Sequence, residues 1–171
     1  LLWADERALR QVCLNAIIAQ IGCYVPATSC EMTAVDRIFT RLGASDKLVE
    51  GKSTFFVEME DIYNLVTFGT DRSLAIIDEL GRGTSTTDGF SIAASILDHM
   101  LNKIGCLSIF STHYHSLINF CLDYDAVSFW KMDFLIDDAT QDIIFLHKLV
   151  PGICNRSFGI KIGRLAGIDE T

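Results

Sequence analysis

The chain has 171 residues, one ordinary domain by length and enough to bury about 70% of the surface its unfolded form would expose. Half of its residues are hydrophobic and 21% are charged, which excludes a disordered or low-complexity chain. Fourteen Lys and Arg against 22 Asp and Glu leave a net charge of −8, so this segment is not expected to neutralise a run of DNA phosphates by itself.

Apolar residues recur at helical spacing through residues 8–21 (Leu9, Val12, Cys13, Ala16, Ile17, Ile21), and Gly22 supplies a stop. Residues 16–27 are broken by Gln20, Gly22 and Pro26 and lack signal-peptide flanks, so no membrane span is expected. Residues 37–42 alternate like a half-buried strand, 43–52 read as a loop, and 55–68 look helical. The continuous apolar run 74–77 predicts a strand buried on both faces. A glycine-punctuated loop, 81–89, precedes a helix whose inner face carries Phe90, Ala93, Ala94, Leu97, Met100 and Leu101, and Gly105 ends it. Residues 106–110 predict a second buried strand and 114–121 a helix. Residues 127–135 and 142–149 predict paired strands joined at Asp137-Asp138, and 158–166 a last helix. Strands alternating with helices give one α/β domain with a largely parallel sheet. The six cysteines, Cys13, Cys23, Cys30, Cys106, Cys121 and Cys154, are scattered, without a Cys-x-x-Cys pair, and read as small buried apolar groups in a reducing, intracellular compartment.

The buried strand delivers two adjacent carboxylates, Asp78 and Glu79, to its carboxyl end, where open α/β sheets bind ligands. One carboxylate can hold Mg²⁺ through water while its neighbour, pointing to the other face, orients an attacking water, the division of labour that phosphoryl transfer needs. A solvated turn after a core strand is the plain alternative. The next strand runs into Ser111-Thr112-His113, so an imidazole stands at a neighbouring tip, able to bond a γ-phosphate or its attacking water. His115 invites a metal reading, but no further ligands sit nearby in sequence, and zinc is not expected.

These residues lie in a longer pattern. The segments at 23–27 (CYVPA), 36–46 (DRIFTRLGASD), 53–59 (STFFVEM), 78–88 (DELGRGTSTTD) with Gly89, and 110–117 (FSTHYHSL) resemble, in family order, the C-terminal ATPase domain of the MutS family of DNA mismatch-repair proteins. The resemblance runs over residues 9–170 and not over 1–8, and the wording at 23–27 and 110–117 is most similar to the eukaryotic branch that reads single-base mispairs. It implies a P-loop NTPase-like fold of the ABC type, ATP and Mg²⁺ as cofactors, and coupling of ATP hydrolysis at a two-subunit interface to clamp switching on mismatched DNA. The implied partner is a second MutS-homologue subunit, with DNA contacted by regions outside this chain. The implied compartment is the nucleus in a eukaryote and the cytoplasm otherwise. By the same resemblance Asp78 is the metal-binding Walker B aspartate, Glu79 the water-orienting catalytic carboxylate and His113 the switch histidine. Ser53, with Thr54 beside it, is the signature serine acting in trans on the partner's ATP. Gly83, Thr84, Ser85 and Asp88 belong to the loop crossing the interface, and His147 matches a position near the adenine.

Gly51-Lys52-Ser53-Thr54 tempts a P-loop reading, but G-x-x-x-x-G-K-[ST] needs glycine where the chain has Asp46. The family's true phosphate loop is expected just before Leu9, and residues 1–8 contain neither glycine nor lysine. These 171 residues alone are therefore expected to lack the phosphate cradle and to bind ATP poorly. An alternative function follows: a hydrolysis-incompetent module that donates its signature residues in trans.

Overall fold

The computed structural model describes residues 6–43, 53–136 and 143–154, together with Gly163 and Gly167. The predicted Gly51-Lys52 loop, the Asp137-Asp138 turn and nearly all of the helix at 158–166 lie outside the described residues. The elements are α1 (Glu6–Gln20), β1 (Ile38–Arg41), α2 (Thr54–Phe68), β2 (Leu74–Asp78), α3 (Thr86–His99), β3 (Leu107–Ser111), α4 (Ser116–Cys121), β4 (Trp130–Ile136) and β5 (Ile143–Pro151). Helix α3 runs on into a π-helical turn, Met100–Ile104, closed by Gly105 at φ 70°.

Strands β1, β2 and β3 form a parallel sheet with β2 central, and β4 and β5 form a separate antiparallel ribbon. The fold is thus mixed α/β with a small parallel sheet. Its core follows from the two-residue period of β2. Ala75 and Ile77 face one cluster with Ile62 and Leu65 of α2, Ala93 of α3 and Leu117 of α4. Leu74 and Ile76 face the other way, onto Leu9, Cys13 and Ala16 of α1. A strand covered on both faces must be apolar throughout, as 74–77 is.

Four expectations are corrected. Of the cysteines, Cys13 and Cys121 are buried, but Cys23 and Cys30 are exposed, because they lie in the irregular segment between α1 and β1. Strand β3 is not a buried strand: Leu107 is 56% exposed, because among the described residues β3 pairs on one side only. On α1 the buried seam is Leu9, Cys13 and Ala16, whereas Val12, Ile17 and, just past its end, Ile21 are exposed, since only that seam packs onto Leu74 and Ile76 and the side chains around them. On β1, Arg41 is buried rather than solvent-facing, with Nη1 3.5 Å from Asp61 Oδ2 on α2, the helix packed over that strand.

The entries into β1 and β2 are tied together by Asp36, whose carboxylate accepts from Thr70 Oγ1 at 2.6 Å and Ser73 Oγ at 2.9 Å. The Thr70 hydrogen bond, then that from Ser73, with Arg72 and Arg37 nearby, hold this carboxyl below its ordinary range. A depressed carboxyl stabilises the fold above the ordinary Asp value of 3.8, and that contribution disappears as the pH falls through the lower folded value. Asp36→Asn is therefore expected to flatten the acid limb of stability against pH, measured as urea midpoints from pH 6 to about pH 2.5. Parallel curves for the variant and the wild type would contradict it.

Candidate functional site

The parallel sheet carries its tips to one edge, and β2 ends there in Asp78 and Glu79. Asp78 is half-buried and lies opposite Ser111 in the β2–β3 register, and its Oδ1 accepts from Ser111 Oγ. Glu79 then leaves the strand: its φ is 51°, the left-handed region, while its N–H still donates to Ser111 O at 3.1 Å. For a residue with a Cβ that conformation costs about 1–3 kcal/mol and must be held by its surroundings. The pleat therefore does not set the aim of the second carboxylate, as expected from alternation; the turn does, and both carboxylates line the same cleft.

That cleft has a volume of about 240 Å³ and is bounded by Arg41, Thr54, Glu58, Asp78, Glu79 and Arg82, with Gly43 and Gly83. Three carboxylates meet two guanidinium groups there. Arg82 Nη1 holds Glu79 Oε2 at 2.5 Å, although Arg82 is 77% exposed and Glu79 28%. An ion pair open to water to that degree contributes at most about 1 kcal/mol and is readily exchanged for another partner. Beyond it, Gly81 (φ 87°) and Gly89 touch backbone to backbone: a Cβ on Gly81 would stand 2.6 Å from Gly89 Cα, and one on Gly89 would stand 2.2 Å from the Tyr114 hydroxyl. Only glycine fits either position.

Ser53 is exposed and caps α2, its Oγ accepting from Phe56 N–H at 3.2 Å. Thr54 follows it into the cleft wall. Gly83 lies against the same helix start, since a Cβ there would be 3.1 Å from Phe55 Cβ, so the Ser53 turn and the Gly83 loop are neighbours within one chain. The loop is shorter than expected. Ser85 is the N-cap of α3, accepting from Asp88 N–H at 3.2 Å and donating to Asp88 Oδ2 at 2.8 Å, which places Asp88 and Gly89 in the first helical turn. Thr84 is half-buried between Gly83 and this cap.

His113 is half-buried two residues past Ser111, its ring centroid 4.1 Å from that of Tyr114. It is near the strand tips but does not line the cleft. His147 is elsewhere: it is exposed on β5 at φ 51°, where the β4–β5 register shifts between Met132 and Phe134. Among the described residues no group of three or more His, Cys, Asp and Glu could hold a metal ion. A pair of carboxylates without a protein cage suits Mg²⁺, which keeps waters and takes its other oxygens from phosphates.

Residues 6–171 match the family described as MutS domain V. The chain belongs to the MutS family. It is 44% identical over 162 residues to the DNA mismatch repair protein MSH6 of Saccharomyces cerevisiae, covering 95% of this chain and 13% of that protein. It is 47% identical over 160 residues to the DNA mismatch repair protein MutS of Alkaliphilus oremlandii, covering 94% of this chain and 18% of that protein. Against the human DNA mismatch repair protein Msh6 the identity is 43% over 167 residues, 95% of this chain and 12% of that protein. The chain thus spans less than a fifth of the length of these relatives. Their identities do not separate a eukaryotic from a bacterial branch.

In this MutS domain V the sequence motifs did not single out three groups that shape the site. Arg41 and Glu58 are buried and line the cleft, and Tyr114, also buried, donates its hydroxyl to Gly81 O at 3.1 Å. Burial first, then the Glu58 and Glu79 charges, push the Tyr114 hydroxyl above its ordinary value, so it remains a donor. The available signal was Glu58 itself, an acid set among the apolar positions Val57, Ile62 and Leu65 of α2.

Proposed function

We propose that this chain is the ATPase domain of a DNA mismatch-recognition protein, with a P-loop NTPase-like fold of the ABC type. In it, nucleotide binding and hydrolysis at a two-subunit interface drive clamp switching on mismatched DNA. The observation that carries the reading is the pair Asp78 and Glu79 at the tip of the central parallel strand, in one cleft with Thr54 and Gly83. Mg²⁺ arriving with ATP would supply charge neutralisation on the phosphates. Asp78, oriented by its bond from Ser111, would hold it, and Glu79 would orient the water and accept its proton. His113 hydrogen-bonds at the γ-phosphate edge, and His147 serves the adenine side. The partner is a second MutS-homologue subunit, DNA is contacted by other regions of the protein, and the compartment is the nucleus in a eukaryote or the cytoplasm in a bacterium. The test is Asp78→Asn in the full-length protein: Mg²⁺-dependent ATP affinity is expected to fall about tenfold or more, the equivalent of about 1.4 kcal/mol. Equal affinity by calorimetry would remove Asp78 from the metal site.

The alternative, a hydrolysis-incompetent module that donates signature residues in trans, draws on Ser53 being exposed at the start of α2 beside Gly83. An α-helix N-terminus whose exposed capping hydroxyl still has its proton to donate suits a phosphate on a second subunit. Ser53→Ala is expected to slow single-turnover hydrolysis at the partner's site while that site's ATP affinity stays within about twofold. The cap alone predicts a different result, a loss of about 1 kcal/mol of stability with unchanged partner turnover. A thermal melt run beside the kinetics separates them.

A further inference from the structure

The turn that aims Glu79 has little structure of its own. Between the strand end and the first turn of α3 it contains two left-handed residues, Glu79 at φ 51° and Gly81 at φ 87°, separated by the fully buried Leu80. What surrounds the Gly81 peptide is more specific. The Gly81 N–H donates to Glu58 Oε1 at 2.7 Å, and the Gly81 carbonyl accepts from the Tyr114 hydroxyl at 3.1 Å, both bonds buried. Glu58 is 3% exposed and is the buried acid among the described residues. A carboxylate taken out of water is retained against a large desolvation cost only where it is well bonded, and here the peptide it grips sits two residues from the carboxylate in the cleft.

We propose that Glu58 and Tyr114 are positioning residues for Glu79, holding the N–H and the carbonyl of Gly81 and so fixing the turn that directs the Glu79 carboxylate. This rests on Glu79 orienting water, as proposed above. The clamp also joins three segments. Glu58 is on α2, one turn beyond Ser53 and Thr54; Tyr114 follows His113 and packs against its ring; Gly89, in the first turn of α3, touches Gly81. A shift of the α2 start, where a partner's phosphate would act, or of the His113 segment is therefore delivered to the Glu79 turn through these two hydrogen bonds in addition to the Glu79–Ser111 backbone bond.

The test uses the full-length protein and two readouts. Tyr114→Phe removes one hydroxyl and keeps the ring and its edge contact with Phe90, whose centroid is 6.1 Å away. Glu58→Leu removes the acceptor, and Glu58→Gln restores one. Single-turnover hydrolysis is expected to fall about tenfold or more in Tyr114→Phe and Glu58→Leu, with ATP affinity within about twofold, and to recover most of the loss in Glu58→Gln. Amide hydrogen exchange by mass spectrometry is expected to quicken in peptides covering 79–83 in those two variants and to stay unchanged over 74–77. Unchanged exchange at 79–83 overturns the clamp. So does a slowed variant that Glu58→Gln fails to rescue, or slowed hydrolysis whose protein also loses ATP affinity. If Glu79→Gln itself hydrolyses ATP at the wild-type rate, the failure is that of the Glu79 assignment, and the exchange result then decides the clamp independently.

Discussion

Glu79→Gln is expected to lower single-turnover ATP hydrolysis in the full-length protein by a factor of about 100 or more, with ATP affinity within about threefold of wild type. The amide keeps the volume and one acceptor oxygen but loses the charge and the basicity that orient and deprotonate water. Binding should survive, because Asp78 keeps its bond to Ser111 and the Glu79 turn is held by backbone and Gly81 contacts rather than by the Glu79 side chain. The present partner of that side chain, Arg82, is an exposed residue in a solvent-screened pair, so losing the pair should barely alter stability. Rapid quench with excess protein over ATP reads the chemical step directly. Wild-type turnover would assign the water to another group.

The second large effect is on stability. Gly89→Ala is expected to destabilise the fold by about 3–4 kcal/mol, combining overpacking with the disturbance of a buried hydrogen bond. Its Cβ would stand 2.2 Å from the Tyr114 hydroxyl and 2.4 Å from Gly81 O, so the side chain would be wedged into the bond those two atoms make with each other. Neither neighbour can retreat: Tyr114 belongs to the same buried cluster as Leu80 and Ala93, and Gly81 is backbone. Gly105→Ala provides the contrast. Nothing lies within 4 Å of its Cβ position, so its cost is the left-handed strain alone, about 1–2 kcal/mol. Urea unfolding of both variants checks the order, and a Gly89→Ala loss no greater than that of Gly105→Ala would refute it.

How much of this was legible in the sequence depends on whether the signal was local. The run at 74–77 declared a doubly covered strand because every residue is apolar, and the helices over Glu6–Gln20 and Thr54–Phe68 declared themselves through their apolar spacing, the first with Gly22 as a stop. Asp78 and Glu79 could be read at a strand tip for the same reason. Hidden were features that depend on tertiary neighbours. Arg41 reads as solvent-facing until α2 is laid over β1 with Asp61 on it, and 106–110 reads as buried until its place beside β2 leaves Leu107 in water. Ser85 and Asp88 spell a cap only in retrospect, because the glycines before them suggest a longer loop. Glu58 and Tyr114 act on a peptide 23 and 33 residues away, a separation that no local pattern encodes.

The parallel register of β1, β2 and β3 has a consequence for inherited or engineered variation. The central strand β2 buries residues 74–77 below the edge at which its following loop emerges, so most residues that specify the fold are not those that face the cleft. Substitutions in cells should accordingly sort into two phenotypes. Changes at Ile76 or Leu65, which are 0% and 1% exposed, should lower the amount of protein present, because a few kcal/mol raises the unfolded fraction available to proteases. Changes at Arg82 or Ser53, both exposed, should leave abundance near normal. Gly81 and Gly89 belong to both classes, since the same backbone contact completes the core and supports the turn above it. A variant there would reduce quantity and quality together, and raising expression would not restore function in proportion.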